Sequence, residues 1–210
     1  DAFPYPNKDL YAPYVQLKYY IIATARGCLF ACDFCCHNYL RKMYKADAHR
    51  YVRRRSPEHV IGELKIAKQK YNLTFISFED DIFTYDKIWL RKFLPIYKQE
   101  INLPYRAITH PLHVDDEVAK LLKESGCYKL EMGVQTFNQE IKRKMMSRIE
   151  KTEDIIRAFM ACKKYKLNFF VDHMFGFGET EEDLKHAVAI YNKYRPVRIN
   201  CNWLQYYPST

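Results

Sequence analysis

The chain has 210 residues, 48% of them apolar, including 18 tyrosines and 13 phenylalanines. That composition supports one sizeable hydrophobic core and excludes a disordered chain; no apolar run is long enough for a bilayer-spanning helix. Seven cysteines, four of them within nine positions, and a formal charge of +9 argue against a spread-out secreted disulfide framework and for a metal site in a reducing, cytoplasmic compartment.

Residues 1–14, "DAFPYPNKDLYAPY", carry three prolines and no periodicity, and are expected to form an extended lead-in to a core domain over residues 15–210. The chain begins at Asp1 with no basic flank and apolar block, so a signal peptide is not expected and a segment of a longer protein is. Residues 17–24 are β-rich and end at Gly27. Ser56 and Pro57 suit an N-cap and first helical position, followed by Val60, Ile61, Leu64 and Ala67 at helical spacing. A strand is expected at 73–78, a helix at 85–99 with Pro95 as a kink, and a strand at 105–109. A helix over 115–125 turns Val118, Leu121 and Leu122 inward and stops at Gly126. A strand over 128–134 leads to helices capped by Asn138 and Thr152, reaching Met146 and Lys164. A strand at 167–175 precedes a capping box, Thr180 with Asp183, and a helix with Leu184, Ala187, Val188 and Tyr191 inward; the last strand is 197–203. Strands alternating with helices predict an α/β fold with a parallel sheet. Six βα units fall short of the ~250 residues of a closed eight-unit barrel, so a partial, open β/α barrel is expected.

The dense cysteine stretch, "RGCLFACDFCCHNYLR" (residues 26–41), follows the first predicted strand. In parallel β/α proteins the loops after strands carry the chemistry. Cys28, Cys32 and Cys35 have the spacing C-x3-C-x2-C. Three thiolates on one loop can hold three irons of a cubane cluster, and they also suit zinc if Cys36 or His37 supplies a fourth ligand. Cys36 adjoins Cys35, and neighbouring residues rarely point at one ion; three ligands leave one iron open. Cys127, Cys162 and Cys201 read as small packed side chains and His37 as a local hydrogen-bonding residue. The basic excess is concentrated in residues 41–55, which carry Arg41, Lys42, Lys45, Arg50, Arg53, Arg54 and Arg55 against Asp47. A solvated basic surface is the simplest account; an anionic substrate, nucleic acid or an acidic partner are the others.

The cysteine spacing, with Phe34 just before the third cysteine, resembles the signature of the radical S-adenosylmethionine (SAM) superfamily. The resemblance implies a 4Fe–4S cluster on Cys28, Cys32 and Cys35, with SAM on the open iron. It extends along the chain. In "FISFEDDIFT" (75–84), Glu79, Asp80 and Asp81 stand where many members place "GGE" to meet the SAM amino group; a double aspartate is common in the cobalamin-associated branches. The departure leaves open which of the three serves. "LEMGVQTFNQEIKRKMMSR" (130–148) resembles the oxygen-independent coproporphyrinogen oxidases and cobalamin-dependent members. It implies SAM contacts by Gln135 and by Arg148, whose planar fork suits the SAM carboxylate; Glu131, on the face of Gly133, is a weaker candidate. "NFFVDHMFGFGETEEDL" (168–184) places Asp172 at the SAM ribose and Gly176 and Gly178 where backbone approaches a ligand, with His173 structural on the opposite face. "INCNWLQYYPST" (199–210) resembles the sixth strand and exit segment, with apolar residues near adenine. The lead-in resembles the junction after a cobalamin-binding domain.

Together these imply reductive cleavage of SAM to a 5′-deoxyadenosyl radical, with an external electron donor, for cobalamin-assisted methylation or another C–H functionalisation of an unspecified substrate. Cobalamin would come from a domain outside this chain. An RNA-modifying enzyme, a coproporphyrinogen-oxidase-like enzyme and a non-catalytic zinc-binding scaffold are the alternatives.

Overall fold

Strand-forming runs of aromatic and β-branched residues and capped amphipathic helices alternate along the chain, and each pair packs as a unit. The computed structural model describes residues 1, 3–11, 18–44 and 51–205. In chain order the elements are β1 (Tyr19–Ile22), β2 (Ala25–Arg26), α1 (Cys36–Met43), β3 (Arg53–Arg54), α2 (Pro57–Lys70), β4 (Phe75–Phe78) and α3 (Lys87–Glu100). There follow β5 (Tyr105–Thr109), α4 (Asp116–Ser125), β6 (Cys127–Gln135), α5 (Gln139–Met145), α6 (Thr152–Lys164), β7 (Phe169–Phe175), α7 (Glu181–Tyr194) and β8 (Arg198–Trp203). Among the described residues, six strands form one sheet in the order β1-β4-β5-β6-β7-β8, every neighbouring pair parallel. β1 and β8 are its two free edges, so the barrel is open, as expected. No helix among the described residues is long and apolar enough to cross a membrane.

The caps explain the helix starts. Ser56 Oγ accepts from the His59 amide at 3.2 Å and Pro57 opens α2; Thr180 and Asp183 form a reciprocal capping box on α7. Asn138 caps α5 through the Glu140 and Ile141 amides. Gly126 ends α4 at φ +101°, a left-handed backbone that glycine adopts without strain. Four expectations change in detail. Thr152 is the first residue of α6, and Lys151 occupies the cap. α3 continues through Pro95 to Glu100. Leu184 and Val188 are exposed, while Ala187 and Tyr191 alone of that set are buried, because α7 lies over the edge of the sheet. The loop cysteines are followed at once by α1, an unexpected helix with no buried residue and no side-chain cap to announce it.

Alternation along the strands separates two surfaces. One buries Tyr20, Ile22, Ile76, Phe78, Ala107, Leu130, Met132 and Val171 against the helices. The other is concave and carries Glu79, Arg106, Lys129, Glu131, Asp172 and Asn200 toward the barrel interior. The polar face is the one on which the candidate site lies. Part of the lead-in (2 and 12–14), the first residues of the core with the start of the first expected strand (15–17), part of the basic stretch (45–50) and the end of the exit segment (206–210) lie outside the described residues.

Candidate active site

The cysteine loop leaves the sheet where β2 meets β3. Gly27 stands at φ +86°, and a Cβ there would lie 2.4 Å from the Tyr51 carbonyl oxygen, so conformation and space both require glycine. Asp80, buried at the end of β4, fastens the loop's entrance: it accepts from the Thr24 amide at 2.5 Å, the Ala25 amide at 2.8 Å and the Thr24 hydroxyl, with Arg54 at 3.5 Å. Burial still raises its carboxyl above the ordinary range, against those partners. Further along, Arg41 donates to the Cys28 carbonyl at 2.5 Å, and the Asp33 amide to the Met146 carbonyl at 3.2 Å.

The three loop thiols are reduced and partly or fully buried. Burial pushes Cys28 and Cys35 up to about 11 and also raises Cys32, and each feels the charge of its neighbours. Left alone they stay protonated; a soft metal centre must displace the protons to bind. Cys36 is exposed at the first position of α1. Both His37 ring nitrogens have partners, the Tyr51 hydroxyl at 2.6 Å and Asp81 at 2.8 Å, the local role expected of it. Among the described residues no three His, Cys, Asp or Glu side chains converge on one ion.

The other predicted residues fall in two groups. Close to the loop, Phe34 meets Phe177 edge-on at 6.1 Å and packs with Ile141 and Met146. Arg148 donates from Nε to Glu150 at 2.7 Å and from Nη2 to the Gly133 carbonyl at 2.6 Å, and its charge opposes the rise that burial imposes on the Cys32 thiol. Gln135 stands at φ +67°, unusual for a side-chain-bearing residue, at a register shift in β6, and its buried Oε1 has no hydrogen-bond partner. On the concave face, Glu79 accepts from Ser77 at 2.6 Å and from Arg106. Burial would raise its carboxyl, but those two partners outweigh it and leave it lowered. Arg106 also reaches Glu131 at 3.1 Å, and Asn200 joins Glu131 at 3.3 Å to Asp172 at 2.9 Å. A hydrogen-bonded line therefore runs Glu79–Arg106–Glu131–Asn200–Asp172 across the barrel interior. Burial raises the Asp172 carboxyl. Gly176, at φ +105°, lies under Leu204, at a cavity of about 270 Å³ lined by Phe34, Met174, Asn202, Trp203 and Leu204. His173 is buried on the opposite face against the Tyr191 hydroxyl, as expected.

Sequence reasoning missed Arg106, Asn200, His110, Lys142 and Glu150. Arg106 carries a signal, a charge alternating with Tyr105 and Ala107 in a strand; Asn200 and His110 have partners remote in sequence, and Lys142 and Glu150, though near Arg148, show no pattern that announces their burial.

A family model, the radical SAM superfamily, matches residues 22–189. The chain belongs to the radical SAM superfamily. Among curated relatives it is 32% identical over 204 residues to a probable threonylcarbamoyladenosine tRNA methylthiotransferase of Pyrococcus horikoshii, covering 91% of this chain and 46% of that one. It is 28% identical to the cytidylyl-2-hydroxyethylphosphonate methyltransferase of Streptomyces wedmorensis, covering 80% of this chain and 31% of that one. This radical SAM chain thus spans less than half the length of either. Among solved structures it resembles the radical SAM methyltransferase TsrM of Kitasatospora setae, described with cobalamin and a 4Fe–4S cluster bound. The TM-score is 0.76 at 19% identity, covering 91% of this chain and 38% of that one, which supports the fold. The radical SAM family uses a 4Fe–4S cluster and SAM, and the donor set fits both: three soft sulfurs on one loop, and an unsatisfied buried amide oxygen on Gln135 beside an arginine.

Proposed function

We propose that this radical SAM chain is the core of an enzyme that reductively cleaves SAM, and that the longer protein uses the 5′-deoxyadenosyl radical for cobalamin-assisted methylation or another C–H functionalisation. When bound, the cluster supplies the electron that splits a carbon–sulfur bond of SAM, drawn from an external donor. Cys28, Cys32 and Cys35 would hold that cluster. Arg148 would meet the SAM carboxylate, Gln135 would receive a hydrogen bond from SAM through its unpaired Oε1, and Asp172 would accept from the ribose. All three acidic residues have partners, but Asp80 is buried while Glu79 and Asp81 are about one-third exposed, which favours Glu79 and Asp81 for the amino group. Phe34 and the cavity beside Gly176 suit the adenine, with Phe34, Met174 and Trp203 offering faces to pack on and Asn202 a polar edge. The observation that carries the reading is the Arg148 guanidinium, fixed by Glu150 and the Gly133 carbonyl, beside the unpartnered Gln135 amide oxygen: an anion-binding fork and a free acceptor next to the cysteine loop. The methyl-transfer part rests on the methyltransferase relatives, and cobalamin would be held by a domain outside these 210 residues. We place this oxygen-sensitive chemistry in a reducing, cytoplasmic compartment.

Anaerobic reconstitution with iron and sulfide, reduction, and addition of SAM test it. The reading requires 5′-deoxyadenosine; a folded, iron-loaded sample that makes none defeats it.

A phosphate-bearing substrate is favoured by one observation. Arg26 and Arg53 face each other across the β2–β3 pair, exposed and with no carboxylate partner among the described residues, at a cavity of about 880 Å³. Opposed like charges disfavour pairing unless an anion lies between them. RNA binding with a steep salt slope that flattens in Arg26→Ser/Arg53→Ser would support it; an unchanged slope would dismiss it.

A further inference from the structure

Behind the cysteine loop lies a buried ionic cluster of which the motif and the reading above use only Arg148. Glu150, 1% exposed, is its centre. Arg148 donates to Glu150 Oε1 at 2.7 Å, Lys142 Nζ stands 3.1 Å from the same oxygen, and His110 Nε2 lies 3.2 Å from Oε2. Only the arginine makes a well-directed hydrogen bond; the Lys142 amine and Glu150 Oε2 have none. All four side chains are at least nine-tenths buried. Such groups are expensive to bury and are held only where geometry repays it. Two features tie this cluster to the loop. The segment leading into Arg148 is bonded to Asp33 through the Met146 carbonyl at 3.2 Å and the Ser147 hydroxyl, and the His110 ring stacks on Phe30, between the first two cysteines, at 4.1 Å and 24°.

The charges do not balance. One carboxylate contacts an arginine and a lysine, so a buried positive charge is left over whatever His110 carries. A residual buried cation favours an anion at the one side of the cluster that faces the loop. Arg148 is also fixed at two points, Glu150 on Nε and the Gly133 carbonyl on Nη2, which removes most of its rotamer freedom before any ligand arrives.

We propose that Glu150 is a positioning residue for SAM. It locks the Arg148 guanidinium against the cysteine loop and, with Lys142, leaves the excess positive charge that the SAM carboxylate neutralises. The proposal rests on the assignment of Arg148 to that carboxylate. Its mechanism is preorganisation: Glu150 touches neither SAM nor the cluster, and acts through Arg148.

The test is a titration of SAM into the reduced, iron-loaded full chain, followed by the change in the cluster's electron paramagnetic resonance signal. Two variants are compared with wild type: Glu150→Gln, and Glu150→Gln/Lys142→Met, which restores the original net charge of the cluster. Iron content and the signal without SAM should match wild type in both. Glu150→Gln should shift the SAM midpoint by about tenfold or more, corresponding to the loss of one well-made charged contact. The double variant should stay shifted, because the charge is rebalanced but Arg148 is not anchored. Midpoints within about twofold of wild type in both iron-loaded variants would overturn the proposal, and so would a wild-type midpoint in the double variant alone. Failure of both variants to load iron would assign Glu150 to the fold and overturn it equally. A wild-type chain that shows no SAM-dependent change would instead defeat the parent reading.

Discussion

At the scale of single residues, what distinguishes the four crowded cysteines is where each one sits. Cys28, Cys32 and Cys35 lie within a loop pinned by Arg41, Asp33 and Asp80, while Cys36 is already the first residue of a helix and exposed. Replacing Cys28, Cys32 or Cys35 by Ala should abolish SAM cleavage, whereas Cys36→Ala should keep the cluster and most activity; loss of iron from Cys36→Ala alone would show that the wrong thiols have been chosen. His110 yields a second expectation. Burial lowers its pKa to about 4, against 6.5 when unfolded. Below pH 6.5 the unfolded chain therefore binds a proton that the folded chain refuses, and stability falls as pH drops toward 4. His173, also lowered to about 4 by burial, acts with the same sign. Urea melts of the metal-free chain at pH 7 and pH 5 should show the loss, and His110→Phe, which preserves the stack on Phe30, should reduce it by on the order of 1–2 kcal/mol.

At the scale of elements, legibility followed local signals. β5 and α2 were visible because caps and periodicity act between residues close in sequence, as with Ser56, Pro57 and Val60. α1 was not visible: "CHNYLRKM" buries nothing and has no side-chain cap, so neither signal exists. The two-residue β2 and β3 were missed for a similar reason, since their pairing is braced by the distant Asp80, which accepts from the Ala25 amide and lies 3.5 Å from Arg54. The same junction carries a strong constraint at Gly27. Gly27→Ala must accept a positive φ and a clash with the Tyr51 carbonyl, and should destabilise the metal-free chain by about 2 kcal/mol or more. Gly126→Ala meets only an ordinary contact at 3.7 Å, so it isolates the backbone term and should cost less in the same melts.

At the scale of the whole molecule, the open sheet gathers onto one concave face residues from five strands that no local pattern connects. Glu79 ends β4, Arg106 lies on β5, Glu131 on β6, and Asp172 and Asn200 on β7 and β8. Arg106 separates two carboxylates. Arg106→Met should leave them facing each other, raise the proton affinity of Glu79, and weaken SAM binding in the same titration while leaving iron content unchanged; an unaltered midpoint would place this line outside the SAM site.

The amino-acid sequence alone determined the class of fold, the order of βα units and the family to which the chain belongs. Each depends on periodicity, capping and motif spacing, which are properties of neighbours. Tertiary structure alone decided how the matched residues are held: that Asp80 braces the loop, that His37 is occupied by Tyr51 and Asp81, and that Arg148 is anchored by Glu150. Burial and pairing of charge are set by what surrounds a side chain in space, and for these residues most of those surroundings come from distant parts of the chain.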